Sequence, residues 1–216
     1  MWAAGDEAAS MLRDQLKRET AALHDRLEAH LGLLGPGLSM RRYRQVLETF
    51  YGFYAPVETS LARIAAVSPP HGFSLRSRSE LLESDLQALG MTRRQLAELP
   101  RCVSLPPLSN PEQLAGCLYV LEGASLGGRV IARALDRDFG IGKDSGASFF
   151  VGDAEATPAR WRGVLAWLHD LVQEGARSDS VVASARATFL AFAHWAEEQL
   201  VCWPPTNHQA ANDRPG

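Results

Sequence analysis

LYVLEGASLGGRVI, residues 118–131, admits two incompatible structures, and the rest of the 216-residue chain decides between them. As strand, sharp turn and helix, Gly123-Ala124-Ser125-Leu126-Gly127 fits the G-x-S-x-G nucleophile elbow, with Ser125 as the attacking hydroxyl. As one continuous helix, Gly123, Gly127 and Gly128 are backbone positions without side chains, each costing about 1 kcal/mol relative to alanine. A helix that carries such a cost predicts that something lies against its bare backbone.

The flanking sequence favours the helix. Asn110-Pro111-Glu112 is an N-cap followed by proline at the first helical position, opening a long helix toward Phe139. Upstream, Leu12, Leu16, Leu23, Leu27 and Leu31 recur at helical spacing from Ala8 to Leu31, and Gly32 with Gly35-Pro36-Gly37 ends the pattern. A second pattern runs from near Ser39 to Pro56, where the proline predicts a kink or division before Val57 to Ala66. Ser77 to Leu89 and Thr92 to Leu99 read as shorter helices, Thr157-Pro158 opens another toward Gly175, and the last spans about Asp179 to Trp203. Gly140 to Glu155 reads as an irregular loop, and 204–216 as a flexible tail. The prediction is all-α: one domain over 8–203, a bundle of roughly seven helices. A hydrolase built on Ser125 needs a mostly parallel sheet, and only Leu118 to Leu121 looks like a strand; Asp153 with His169 or His194 is available for a triad, with nothing to pair them.

Hydrophobic residues at 46% and charged residues at 22% are those of a folded globular chain. A net charge of -3 and a pI near 6.1 give no general attraction to nucleic acid or to an anionic membrane. Asp6 and Glu7 stand where a secretory signal carries positive charge, and the sequence reads as having no run for a bilayer span, so a cytoplasmic protein is expected. Cys102, Cys117 and Cys202 are an odd number at wide spacings and read as buried apolar residues. His169 and His194 read as packing residues, His30 lies off the face of His24, His71 falls in a Pro-rich turn and His208 in the tail; no zinc pattern is present.

On the first helix, Lys17, Thr20, His24, Glu28 and Leu31 fall at offsets that place them on one face. This face and the glycine stretch together resemble the haem oxygenase family, in particular the bacterial biliverdin-forming enzymes that accompany bacterial phytochromes. The matching residues are Leu16-Lys17-Arg18-Glu19-Thr20-Ala21-Ala22-Leu23-His24 with Glu28, then Glu122-Gly123-Ala124-Ser125-Leu126-Gly127-Gly128, and more weakly Trp161-Arg162.

The resemblance implies haem held between a proximal helix, with His24 as the axial ligand of iron, and a kinked distal helix whose Gly123, Ser125, Gly127 and Gly128 approach the macrocycle. An imidazole ligand donates less strongly than a thiolate, which directs oxygen chemistry at the porphyrin, and glycines allow close backbone approach. Glu28 is the residue expected to orient His24. Lys17 and Arg162 are the candidates for the propionates, and Thr20 shares the face of His24. The implied reaction consumes haem and O2 and yields biliverdin, with the alpha isomer favoured, plus carbon monoxide and ferrous iron. The chain has no Gly-x-Gly-x-x-Gly after a strand, so its electrons come from a partner such as ferredoxin or a reductase, and a phytochrome is a candidate recipient of the product. One departure stands out: many family members carry an acidic residue directly after the first distal glycine, and here it is Ala124. A non-catalytic haem-binding or haem-sensing protein is the alternative that this departure keeps open.

Overall fold

A computed structural model describes residues 2–67, 77–152 and 156–200. Its helices are α1 (Trp2–Leu31), α2 (Met40–Val67), α3 (Ser79–Ala88), α4 (Arg93–Glu98), α5 (Pro111–Phe139), α6 (Ser148–Val151), α7 (Ala156–Gln173) and α8 (Ser178–Gln199), with a 3-10 turn at Lys143–Ser145. Among the described residues there is no strand. The tail at 204–216, the predicted end of the last helix at Trp203, Cys202, His71, His208 and Asp153 lie outside the described residues.

The helix ends follow from local chemistry. Asn110 Oδ1 accepts the Gln113 N–H at 2.9 Å, with Pro111 in the first turn, and α5 stops where Gly140 adopts a left-handed φ of 66°. Thr92 and Gln95 form a capping box that starts α4. Glu58, on α2, caps α3 from outside: it accepts the Arg78 and Ser79 backbone N–H groups and the hydroxyls of Ser77 and Ser79, so a negative charge faces the positive end of that helix.

Three sequence expectations need correction. Pro56 does not divide α2. The proline removes the N–H that would satisfy the Gly52 carbonyl one turn earlier, and the Cys102 N–H supplies it instead at 2.9 Å. Gly52 also has no room for a side chain, since a Cβ there would lie 2.6 Å from the Trp195 ring and 2.7 Å from the Pro100 carbonyl oxygen. Second, the glycine-rich segment after α5 is not wholly irregular: it contains α6. Third, His194 is on the surface, paired with Glu198 at 3.1 Å, and is not a packing residue.

The core brings α2, α6 and α8 together through aromatic rings. Phe53 and Phe192 stack with centroids 4.6 Å apart, Phe50 meets Phe192 edge-on at 4.9 Å, and Phe149 meets both Phe50 and Tyr54 at 5.3 Å. α8 is the central element: α1 and α5 pack mainly on it and secondarily on α7, and have little or no contact with each other. Cys102 and Cys117 are buried free thiols, as expected, and burial pushes the Cys117 thiol up to about 12. By length and composition alone α5 could cross a membrane, contrary to the reading of the sequence. It buries Leu114, Ala115, Gly116, Cys117 and Leu118 within the bundle, as a core helix does.

Candidate functional site

The segment that opened the question is helical throughout, so the strand and sharp turn of a nucleophile elbow are absent. Ser125 is buried and donates its hydroxyl to the Glu122 carbonyl one turn back on its own helix. With no sheet among the described residues, the Ser125 hydrolase reading is overturned.

The glycines divide by what surrounds them. At Gly128 a Cβ would lie 2.5 Å from the Phe150 carbonyl oxygen, and at Gly116 it would lie 2.4 Å from the Val181 carbonyl oxygen on α8. Both are required by packing, so Gly128 is turned to the protein and not to an open face. At Gly123 a Cβ would make ordinary contact with the Trp161 ring at 3.5 Å, and at Gly127 it would meet nothing among the described residues within 4 Å. Neither has a positive φ. Folding therefore gives no reason for glycine at 123 or 127, although each costs about 1 kcal/mol in a helix. Beside them Ala124 is exposed, as are Leu126 and Val130, so this side of α5 presents small and apolar surface to solvent.

On α1 the predicted face splits in the same way. Lys17, His24 and Glu28 are exposed, whereas Thr20 and Leu31 are buried, and the Thr20 hydroxyl donates to the Leu16 carbonyl at 2.7 Å. The His24 side chain is 55% exposed. Its Nδ1 faces two carboxylates, Asp25 at 3.5 Å and Glu28 at 3.9 Å, leaving Nε2 directed elsewhere. This is the arrangement in which a metal-bound imidazole has its second nitrogen oriented by an acceptor. The other wall of the histidine is the Phe189 ring of α8, edge-on at 6.2 Å.

Around Gly123 the structure adds contacts that the sequence did not show. Glu122 is buried and forms an ion pair with Arg160 of α7, through Nη2 and through Nε at 3.2 Å. The next residue on α7, Trp161, covers Gly123 and meets the Tyr119 ring at 5.4 Å. Arg160 is thus largely buried, and Arg162 is exposed on α7. A signal existed: Glu122 is the one carboxylate inside the apolar run 114–128, and a buried carboxylate needs a cationic partner. A cavity of about 320 Å³ lies on another face of α5, between α2 and the start of α3, lined by Tyr54, Glu58, Arg78, Leu118, Leu121 and Glu122. It does not include His24, Gly123 or Gly127.

Two plates therefore stand on one platform: α1 with an exposed, oriented imidazole and α5 with bare backbone, both mounted on α8 and α7. Comparison with known proteins identifies the family and the fold. The heme oxygenase family model matches residues 10–198. A protein named heme oxygenase from Xanthomonas campestris pv. campestris (strain 8004) is 33% identical over 162 residues, covering 74% of this chain and 92% of that one. The NO- and CO-bound heme oxygenase of Neisseria meningitidis superposes with a TM-score of 0.71 at 19% identity, over 87% of this chain and 91% of that one. Heme oxygenase from Leptospira interrogans gives 0.69 at 22%, over 87% and 98%. The chain belongs to the heme oxygenase family and is an enzyme of that class.

Proposed function

We propose that this chain cleaves haem with O2 and externally supplied electrons to biliverdin, carbon monoxide and ferrous iron, the alpha isomer being the main product. The observation that carries the reading is Gly127: a helical glycine with nothing among the described residues within 4 Å of its missing side chain, explained by a flat ligand that needs the backbone bare. The donor set fits haem. His24 would hold the iron through Nε2, while Asp25 and Glu28 lie beside Nδ1 and would orient the ring. Gly123 and Gly127 supply a surface close enough to exclude bulk water from the other side, and Trp161 borders it. Lys17 and Arg162, both exposed, are the cations for the propionates. When bound, haem supplies the iron that activates O2 and is itself the substrate.

Ala124 offers no carboxylate, and Ser125 is turned inward. Proton delivery then falls to backbone groups and water on the open side of α5. A ferredoxin or reductase is the electron source, a phytochrome is a candidate recipient of the bilin, and the compartment is the cytoplasm.

The test is aerobic turnover of the haem complex with ascorbate, followed by chromatographic identification of the bilin. Loss of the Soret band with appearance of the alpha isomer is the expected outcome. A Soret band that persists under reductant and air would identify a haem carrier instead.

A further inference from the structure

The shortest α-helix among the described residues is tied down by two buried charges. α6 has four residues, which is too short to be stable alone. Asp85 of α3, 1% exposed, accepts the Ser148 N–H at 2.7 Å and the Phe149 N–H at 2.8 Å at the start of α6. On the carbonyl side of the same residue, Arg78 donates Nη2 to the Phe149 carbonyl at 2.8 Å, and its guanidinium lies 4.2 Å from the centre of the Phe149 ring. The signs match the main-chain groups, with the anion on the amide side and the cation on the carbonyl side.

These contacts are a poor way to gain stability. Asp85 is held in a site where burial pushes its pKa up, against the pull of the two backbone N–H groups. Arg78 leaves its Nε buried with no partner. Buried charges of this kind are weak evidence for stability and better evidence for a fixed geometry. What the geometry fixes is visible one residue further on: the Phe150 carbonyl is pressed against α5 at Gly128, where it excludes a side chain. Gly128 adjoins Gly127, so α6 meets α5 one residue away from its bare face.

We infer that Asp85 and Arg78 are positioning residues: by gripping the main chain of Ser148 and Phe149 on its amide and carbonyl sides they hold the Phe150 carbonyl against Gly128 and so set the placement of the Gly123–Gly127 surface. The inference rests on the proposed haem-binding role of that surface. Neither residue lines that surface, so their effect passes through α6.

The test compares wild type with Asp85→Asn, whose amide can accept one of the two N–H groups but turns a donor toward the other. Hydrogen exchange on the apoprotein reads the clamp directly. Exchange at residues 123–130 is expected to quicken about tenfold, the equivalent of one charged hydrogen bond, while exchange at residues 16–27 of α1 stays at the wild-type rate. Ferric haem, loaded and then captured by excess apomyoglobin, is expected to leave the variant about tenfold faster. Faster exchange spread evenly over α1 and α5 would mean a general loss of stability and overturn the inference, as would unchanged exchange. If Asp85→Asn does not fold, Arg78→Lys attacks the carbonyl side of the clamp with the same expected pattern, and failure of both to fold would assign the clamp to stability alone. A wild-type protein that takes up no haem would remove the proposed function, while the exchange measurement would still decide the clamp.

Discussion

Replacing Gly127 by alanine should make the protein more stable and less able to hold its ligand. Nothing among the described residues lies within 4 Å of the added methyl and the backbone is helical, so the substitution adds no strain there and buries nothing. Its effect on the apoprotein is the recovered helix propensity, about 0.5–1 kcal/mol. For a chain of 216 residues that corresponds to a rise in Tm of about 1–4 °C. With haem present the same methyl enters the space of a closely packed plane, and overpacking of about 1–3 kcal/mol weakens binding by about 5- to 150-fold. Differential scanning calorimetry of the apoprotein and a Soret titration read the two halves. The neighbour is the control: Gly128→Ala puts a methyl 2.5 Å from the Phe150 carbonyl oxygen and should lower Tm. Gly127→Ala lowering Tm as Gly128→Ala does, or binding haem as the wild type does, would refute the reasoning that separates the two glycines.

Because the His24 side chain is more than half exposed, His24→Ala should leave apoprotein stability within about 0.5 kcal/mol while abolishing bilin formation in the ascorbate assay. Glu122→Gln removes the buried charge facing Arg160 and should cost about 3 kcal/mol, read by urea unfolding. Cys117 ionises at about 9 when unfolded and at about 12 when folded, so its contribution is complete below pH 9 and is lost as pH rises from 9 toward 12. Urea melts across that range should show stability falling with pH, and Cys117→Ala should flatten the slope. Neither Cys102 nor Cys117 should be alkylated by iodoacetamide in the native protein at pH 8, as mass spectrometry would report.

The parts of the fold legible in the sequence are those fixed by neighbours along the chain. Asn110-Pro111 and Gly140 bound α5 because caps act over a few residues, and the spacing of His24 and Glu28 guarantees their proximity on a helix. What the sequence concealed depends on partners far away in the chain. Pro56 looks like a break until Cys102 is seen to serve the Gly52 carbonyl, and the segment after α5 looks irregular until Asp85 is seen to hold α6. The glycine motif shows the same limit in the site itself. Adjacent residues on a helix point about 100° apart, so Gly127 and Gly128 cannot both face one ligand, but only the Phe150 carbonyl reveals which of them is covered. Thr20 and Ser125 fell in matching motifs, yet both hydroxyls turn back on their own helices.

The contact of α5 with α8 at Gly116 has a consequence for how such a chain can diverge. There two main chains meet almost directly, with a Cβ at Gly116 falling 2.8 Å from the Ala185 nitrogen and 2.7 Å from the Ser184 Cβ. A tenth of a nanometre added at that junction would be carried outward along the rigid length of α5 to its exposed side. Substitutions at 116, 184 or 185 should therefore shift α5 on α8 while leaving Gly123 and Gly127 themselves unchanged.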